Sequence, residues 1–169
     1  ISVAAAESIE LGVRTALEEA GDKLGGVDVS VVPMDHRANV RRSGRTLSRY
    51  AESQSALVVI GGMHSPPYIS HQEFINENGV LTLLPWSAAG PITRPKDGGE
   101  NWIFRLSVDD SKSGAFFVDH AVDRDGCENL ALILLETGWG RANHASLTNA
   151  LQTRGKQPVA VEFFASSIG

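Results

Sequence analysis

Two spacings of apolar residues alternate along nearly the whole chain. Over residues 4 to 20, Ile9, Val13, Ala16, Leu17 and Ala20 recur at helical spacing, with Glu7, Glu10, Arg14 and Glu18 on other faces. Gly21 and the pair Gly25-Gly26 end that helix. VDVSVV, residues 27 to 32, alternates and is β-branched, which predicts a strand. Residues 38 to 54 predict a second helix, with Val40, Gly44, Leu47 and Ala51 inward. ALVVIG, 56 to 61, is continuously apolar and suits a parallel strand covered on both faces. One helix is expected from Pro66 to Asn78, with Gly79 just past its end. VLTLLP, WIFRLSV, LALILLE and PVAVEFF predict four more strands. Asp109, Asp110 or Ser111 can cap a helix running to about Asp125, and another helix ends near Gly155.

Strands that alternate with helices define an α/β chain: right-handed crossovers, mostly parallel sheets, and flanking helices. Such a unit ordinarily opens on a strand, whereas this chain opens on a helix, so a preceding strand is expected. The 169 residues suffice for one sizeable core or two small lobes. A hydrophobic share of 42% with 21% charged residues excludes disorder. No apolar run reaches the ~20 residues that span a bilayer, and no basic segment precedes an apolar one as in a secretory signal. The net charge of −5 does not favour nucleic acid. The single cysteine, Cys127, excludes a disulfide framework and is expected to be buried at the start of a strand.

In an open parallel sheet, ligands bind beyond the carboxyl ends of the strands. Three loops leave such ends: 61 to 67, 85 to 91 and 136 to 141. In the first, Gly61 and Gly62 lead to His64 and Ser65, and Pro66 and Pro67 follow, pre-set for a first helical turn. Two readings fit Ser65: a cap on its own helix, or part of an anion cradle with the backbone N–H groups around it. In the second loop, Trp86 is followed by Ser87, Ala88 and Ala89, small residues that let backbone groups approach a ligand; a plain turn is the rival reading. In the third, Trp139 stands between two glycines and is presented to a cleft or folded back on its own lobe. No G-x-S-x-G elbow, phosphate-binding loop or H-E-x-x-H occurs. The five histidines show no i, i+4 pairing, so neither a metal nor a cofactor is expected. Arg37, Arg41, Arg42, Arg45 and Arg49 make a stripe that reads as a solvated face or a docking surface for a partner protein.

GVDVSVVPMDHRANV, ALVVIGGMHSPPYIS, NENGVLTLLPWSAAGPITRP, ENWIFRLSVDDSKSGAFFVDHAV and NLALILLETGWGRANHASL, in this order, resemble one family. It is the type I periplasmic binding proteins of the branched-chain amino acid and amide class. The resemblance implies two α/β lobes that close on a small ligand, with residues 1–104 in the first lobe and 105–169 beginning the second. It implies that the chain is a fragment of a longer protein. It implies a non-enzymatic solute-binding component in the periplasm or outside the cell, serving an ABC-type membrane permease and taking an amino acid or amide. A sensor domain of the same fold and an α/β hydrolytic enzyme using His64 and Ser65 are the alternatives. By the match, Gly62 to Ser65 hold a ligand carboxylate, and Trp86, Ser87, Ala88 and Ala89 add backbone contacts. Trp139 stands where the family has Tyr and forms an aromatic wall; His64 stands where small or hydroxyl residues are usual.

Overall fold

The computed structural model describes residues 2–165. Helix α1, Ser2–Glu19, has the predicted extent, but Ile9, Val13 and Leu17 are only half-buried and none of residues 3–19 is fully buried. A tight hairpin follows, β1 (Lys23–Leu24) antiparallel to β2 (Val27–Asp28). Its turn needs positive φ at both central positions, and Gly25 (φ 58) and Gly26 (φ 85) supply it. The strand predicted over 27 to 32 stops after Asp28, and residues 29–36 carry no regular structure. A strand persists only where its N–H and C=O groups find a ladder. Among the described residues no further strand pairs with this segment.

Helix α2, Val40–Glu52, is capped by Asn39, whose side chain accepts from the Arg42 N–H at 3.0 Å. It buries Ser43 and Leu47 and leaves Arg41, Arg45 and Arg49 in solvent. Ala51, expected inward, is exposed. Three short strands, β3 (Val59–Ile60), β4 (Thr82–Leu84) and β5 (Ile103–Arg105), form a parallel sheet in that order. The helix predicted from Pro66 to Asn78 is two helices, α3 (Pro66–Ser70) and α4 (Gln72–Glu77), interrupted at His71. The His71 ring bonds the carbonyl of Val40 through Nε2 at 2.7 Å and lies against Gly44, where a Cβ would come within 2.8 Å of it. The interruption therefore docks this segment on the first turn of α2.

Leu47, Tyr68, Ile75, Val80, Leu84, Ala89, Ile92 and Ile103 form the larger core. Successive strand residues point to opposite faces. Thr82, Leu84 and Ile103 face this core, while Leu83 and Phe104 are exposed. Among the described residues the first sheet is thus covered on one face only, where helices on both faces were expected.

After a 3-10 turn at Gly90–Thr93 and β5, helix α5 (Asp110–Val118) starts at Asp109, whose carboxylate accepts from the Ser111 N–H at 2.9 Å. It runs on into a π-helical turn, Asp119–Arg124. β6 (Ala131–Leu135) and β7 (Ala160–Phe164) form a second parallel sheet, joined by α6 (Gly138–Gln152). Val118, Ala150 and Leu151 make a smaller core between α5, α6 and this sheet. Cys127 is exposed, not buried, because it lies in the turn ahead of β6.

Gly61 and Gly62 separate cleanly in this packing. A Cβ on Gly61 would meet Leu84 Cδ2 and lie 2.6 Å from the Tyr68 hydroxyl, whereas one on Gly62 meets nothing within 4 Å. Gly61→Ala should destabilise the fold by about 1–3 kcal/mol through overpacking. Gly62→Ala should stay within about 0.5 kcal/mol. Urea denaturation of the two variants beside the parent checks this; equal midpoints would contradict it.

Candidate functional site

The register of the first sheet places the site. Ile60 pairs with Leu83, so β3 and β4 end nearly level and their loops leave the same edge side by side. The Gly61 N–H extends the ladder to the Leu83 carbonyl at 2.7 Å. Beyond it the loops are clasped twice. The Ser87 hydroxyl donates to the Gly62 carbonyl at 2.7 Å, and the Ala89 N–H donates to the Ser65 hydroxyl oxygen at 3.3 Å. The Gly62 N–H donates to the Tyr68 phenol oxygen at 2.8 Å. Burial raises the Tyr68 pKa, against the lowering effect of that bond, so the phenol stays neutral.

Ser65, Ser87 and Ala89 are buried; Gly62, His64 and Ala88 are half-buried; Trp86 is 55% exposed. Of the two readings of Ser65, capping its own helix is not what its side chain does: it makes no cap hydrogen bond. It accepts from Ala89 and keeps its own proton to donate. Helix α3 has only five residues, so the donors of this loop are its backbone N–H groups rather than a helix dipole. Among the described residues the N–H groups of Met63, His64, Ser65, Ser87 and Ala88 make no intramolecular hydrogen bond.

The third loop comes to the first two through Trp139. Its ring packs against the larger core, and its indole N–H donates to the Asp110 carboxylate. Asn143 Nδ2 joins the same oxygen at 3.1 Å. The Thr137 hydroxyl caps α6 by accepting from the Gly140 N–H at 3.1 Å. Gly138 lies against Ile69 of α3, where a Cβ would come within 3.4 Å of Cδ1. The structure thus joins the loop of Gly62, His64 and Ser65 to that of Ser87, Ala88 and Ala89 and packs Trp139 against the core that holds Ala89; Trp86 is exposed.

Other residues matter that the pattern reading did not single out. Arg105 is nearly buried and spans two partners: Nη1 donates to the Ala89 carbonyl at 2.8 Å and Nη2 lies 2.9 Å from Asp109 Oδ2. Arg94 reaches the same carboxylate and also donates to the Gly90 carbonyl at 2.9 Å. The sequence signal was a charged residue inside the apolar run WIFRLSV. Burial alone would raise the Asp109 pKa, but bonds from Ser111 and Arg94 and the charge of Arg105 hold it at about 2. Asp110, read only as a possible cap, orients Trp139. His36, read only as unpaired in sequence, has its Nδ1 buried without a hydrogen-bond partner among the described residues, and burial lowers its pKa.

The model of the periplasmic binding protein family matches residues 2–167, and the chain belongs to that family. No curated protein matches significantly. Solved structures share the α/β fold. A solute-binding protein of an ABC transporter from R. palustris, in complex with benzoate, is 23% identical with a TM-score of 0.83; the alignment covers 99% of this chain and 46% of that one. A leucine-binding protein from Thermotoga maritima is 20% identical with a TM-score of 0.78, covering 95% of this chain and 44% of that one. A substrate-binding protein from Desulfitobacterium hafniense, in complex with Leu, is 20% identical with a TM-score of 0.75, covering 96% and 47%. The chain therefore spans less than half the length of these relatives. Among the described residues no helix is long and apolar enough to cross a membrane.

The charge cluster at Asp109 makes stability depend on acid. A carboxylate whose folded pKa lies below its ordinary value stabilises the fold above that ordinary value and stops doing so as pH falls through the folded one. With 3.8 lowered to about 2, the contribution at neutral pH is about 2 kcal/mol. Asp109→Asn should lose about that much at pH 7 and show a flatter stability profile between pH 4 and pH 2. Thermal denaturation across that range measures it; parallel profiles for parent and variant would contradict the assignment.

Proposed function

We propose that this chain contributes to the solute-binding component of an ABC-type uptake system, which captures a small carboxylate- or amide-bearing ligand between two α/β lobes. The observation that carries the reading is the clasped pair of loops, which leaves the N–H groups of Met63, His64, Ser65, Ser87 and Ala88 and the Ser65 proton unpaired among the described residues, with Trp139 fixed by Asp110. Convergent donors in a half-buried site suit an anionic or carbonyl oxygen. The relatives' bound molecules, Leu and benzoate, both carry a carboxylate. Gly62, His64, Ser65, Ser87, Ala88 and Ala89 form the donor side, Trp139 the opposite wall, and Trp86 the margin.

The proposed lobes are residues 1–104 and 105–169; the separate cores support two units, and the cut lies within β5, one residue before its end. Binding, not hydrolysis, is favoured because Ser65 Oγ is bonded to the Ala89 N–H and to no imidazole among the described residues. The family membership supports a periplasmic or extracellular site of action and a membrane permease as partner.

Calorimetry of the full-length protein with leucine, benzoate and simple amides tests the reading. Ser65→Ala removes a hydrogen bond to a charged or polar ligand oxygen, and Trp139→Ala removes the wall. Each should weaken the best ligand about tenfold or more. Unchanged affinity in both variants would show that the ligand binds elsewhere.

A further inference from the structure

Arg14, Arg37, Arg94, Arg105, Arg141 and Arg154 each pair with a carboxylate. The arginines of α2 do not. The side chains of Arg41, Arg42, Arg45 and Arg49 form neither an ion pair nor a hydrogen bond among the described residues. Scarcity of carboxylates is not the reason, since Asp and Glu outnumber Lys and Arg by 20 to 15. On the N-terminal side Asp35 is already committed: its carboxylate accepts from the Arg37 N–H at 2.7 Å and lies 3.5 Å from Arg37 Nε. On the C-terminal side Glu52 is exposed and pairs with nothing among the described residues.

Arg41, Arg45 and Arg49 recur every four residues in solvent, on the side of α2 opposite the buried Ser43 and Leu47. Their row advances about 6 Å per step. Arg42, Arg45, Thr46 and Arg49, together with Asp35, line a cleft of about 270 Å³. This arrangement works against the helix. Like charges at i, i+4 repel, and Arg41 and Arg42 stand in the first turn, where the helix dipole disfavours cations. Nothing among the described residues offsets either effect.

The chemistry of the face narrows what would complete it. A guanidinium is planar and takes a carboxylate through two parallel N–H donors. The other exposed residues of the helix are Ala51 and Glu52, so it has no large apolar side chain to enter a lipid surface. Asp35 in the cleft and the net charge of −5 oppose nucleic acid. We propose that the outer face of α2 is a docking surface for a partner protein, which presents a helix with carboxylates one turn apart to Arg41, Arg45 and Arg49. α2 packs inward through Ser43, Gly44 and Leu47, so this surface stands independently of the ligand-binding loops.

The probe is a synthetic alanine-rich helical peptide with Glu at three positions four residues apart; the control peptide has Gln at those positions. Fluorescence anisotropy with the full-length protein should show the Glu peptide binding at least about tenfold more tightly than the Gln peptide. That preference should fall as sodium chloride screens the exposed charges. Arg45→Gln combined with Arg49→Gln should abolish it without lowering the urea midpoint, because the change relieves repulsion within the row. Arg124→Gln, at an exposed arginine outside α2, should leave it unchanged. Equal binding of the two peptides, binding of neither, or a Glu preference that survives the double variant overturns the proposal. A double variant with a lower urea midpoint also overturns it, since the full-length chain would then cover the face itself. Tighter, salt-sensitive binding to phosphatidylglycerol vesicles would assign the face to lipid instead. Self-association that the double variant abolishes, with no peptide bound, would assign it to a second copy of the chain; either result refutes the partner.

Discussion

Two hydroxyl bonds running in opposite directions across neighbouring loops hold the site together. Ser87 gives its proton to Gly62, and Ser65 receives one from Ala89. They can form only because β3 and β4 end nearly level, which the parallel register Ile60 to Leu83 imposes. Each bond is worth only about 0.5–1.5 kcal/mol net, so the clasp contributes modestly to stability. Its effect is positional. It uses the Gly62 carbonyl and the Ala89 N–H and leaves the N–H groups of Met63, His64, Ser65, Ser87 and Ala88 without partners among the described residues. The close approach of Leu84 and Tyr68 at Gly61 is the packing that sets the first loop at this height.

A second constraint passes from that clasp to the rest of the chain through two consecutive aspartates. Asp109 faces back toward the first sheet, where Arg105 and Arg94 bind it and reach the carbonyls of Ala89 and Gly90. Asp110 faces forward, to the indole of Trp139 and the amide of Asn143. One residue thus fixes the loop, the next fixes the wall, and the start of α5 lies between them. A buried ion pair is weak as a source of net stability, but breaking it leaves a charge without a partner. The Arg105–Asp109 contact therefore holds the geometry of the Ala89 loop as well as adding the acid-sensitive stability of the Asp109 cluster.

The order of helices and strands was legible because apolar spacing reports burial one segment at a time. The meeting of residues 61–65, 85–89 and 139 was legible too, since parallel strands present their carboxyl-end loops together. What stayed hidden depends on contacts between distant segments. Ser65 is an ordinary N-cap by local rules, and its choice of Ala89 instead follows from the strand register. His71 lies inside a good helical pattern, and only its contact with Val40 and Gly44 marks the break. Residues 27 to 32 have the composition of a strand, but a strand needs a ladder, and that is a property of the neighbour.

The polarity of the candidate site follows from where its donors are already committed. Trp139 replaces the tyrosine expected from the family resemblance. A tyrosine keeps a hydroxyl that can turn toward a ligand, whereas the one N–H of Trp139 is bound to Asp110. The Trp139 side chain therefore offers ring surface and no free donor. The Ser65 proton and the unpaired N–H groups of Met63, His64, Ser65, Ser87 and Ala88 belong to the loops of the first sheet; at the start of α6 the backbone N–H groups of Gly138 and Trp139 are also without a partner among the described residues. On the proposed reading, a ligand that fits both sides is polar at one end and apolar at the other. Its charged oxygen faces 62–65 and 87–89, and its body lies against the indole. A ligand with polar groups at both ends would have to desolvate one of them against the indole face, which cannot return the hydrogen bond, at a cost of roughly 1–3 kcal/mol per group. Selectivity against such ligands would then come from Asp110, which occupies the one donor of the Trp139 side chain.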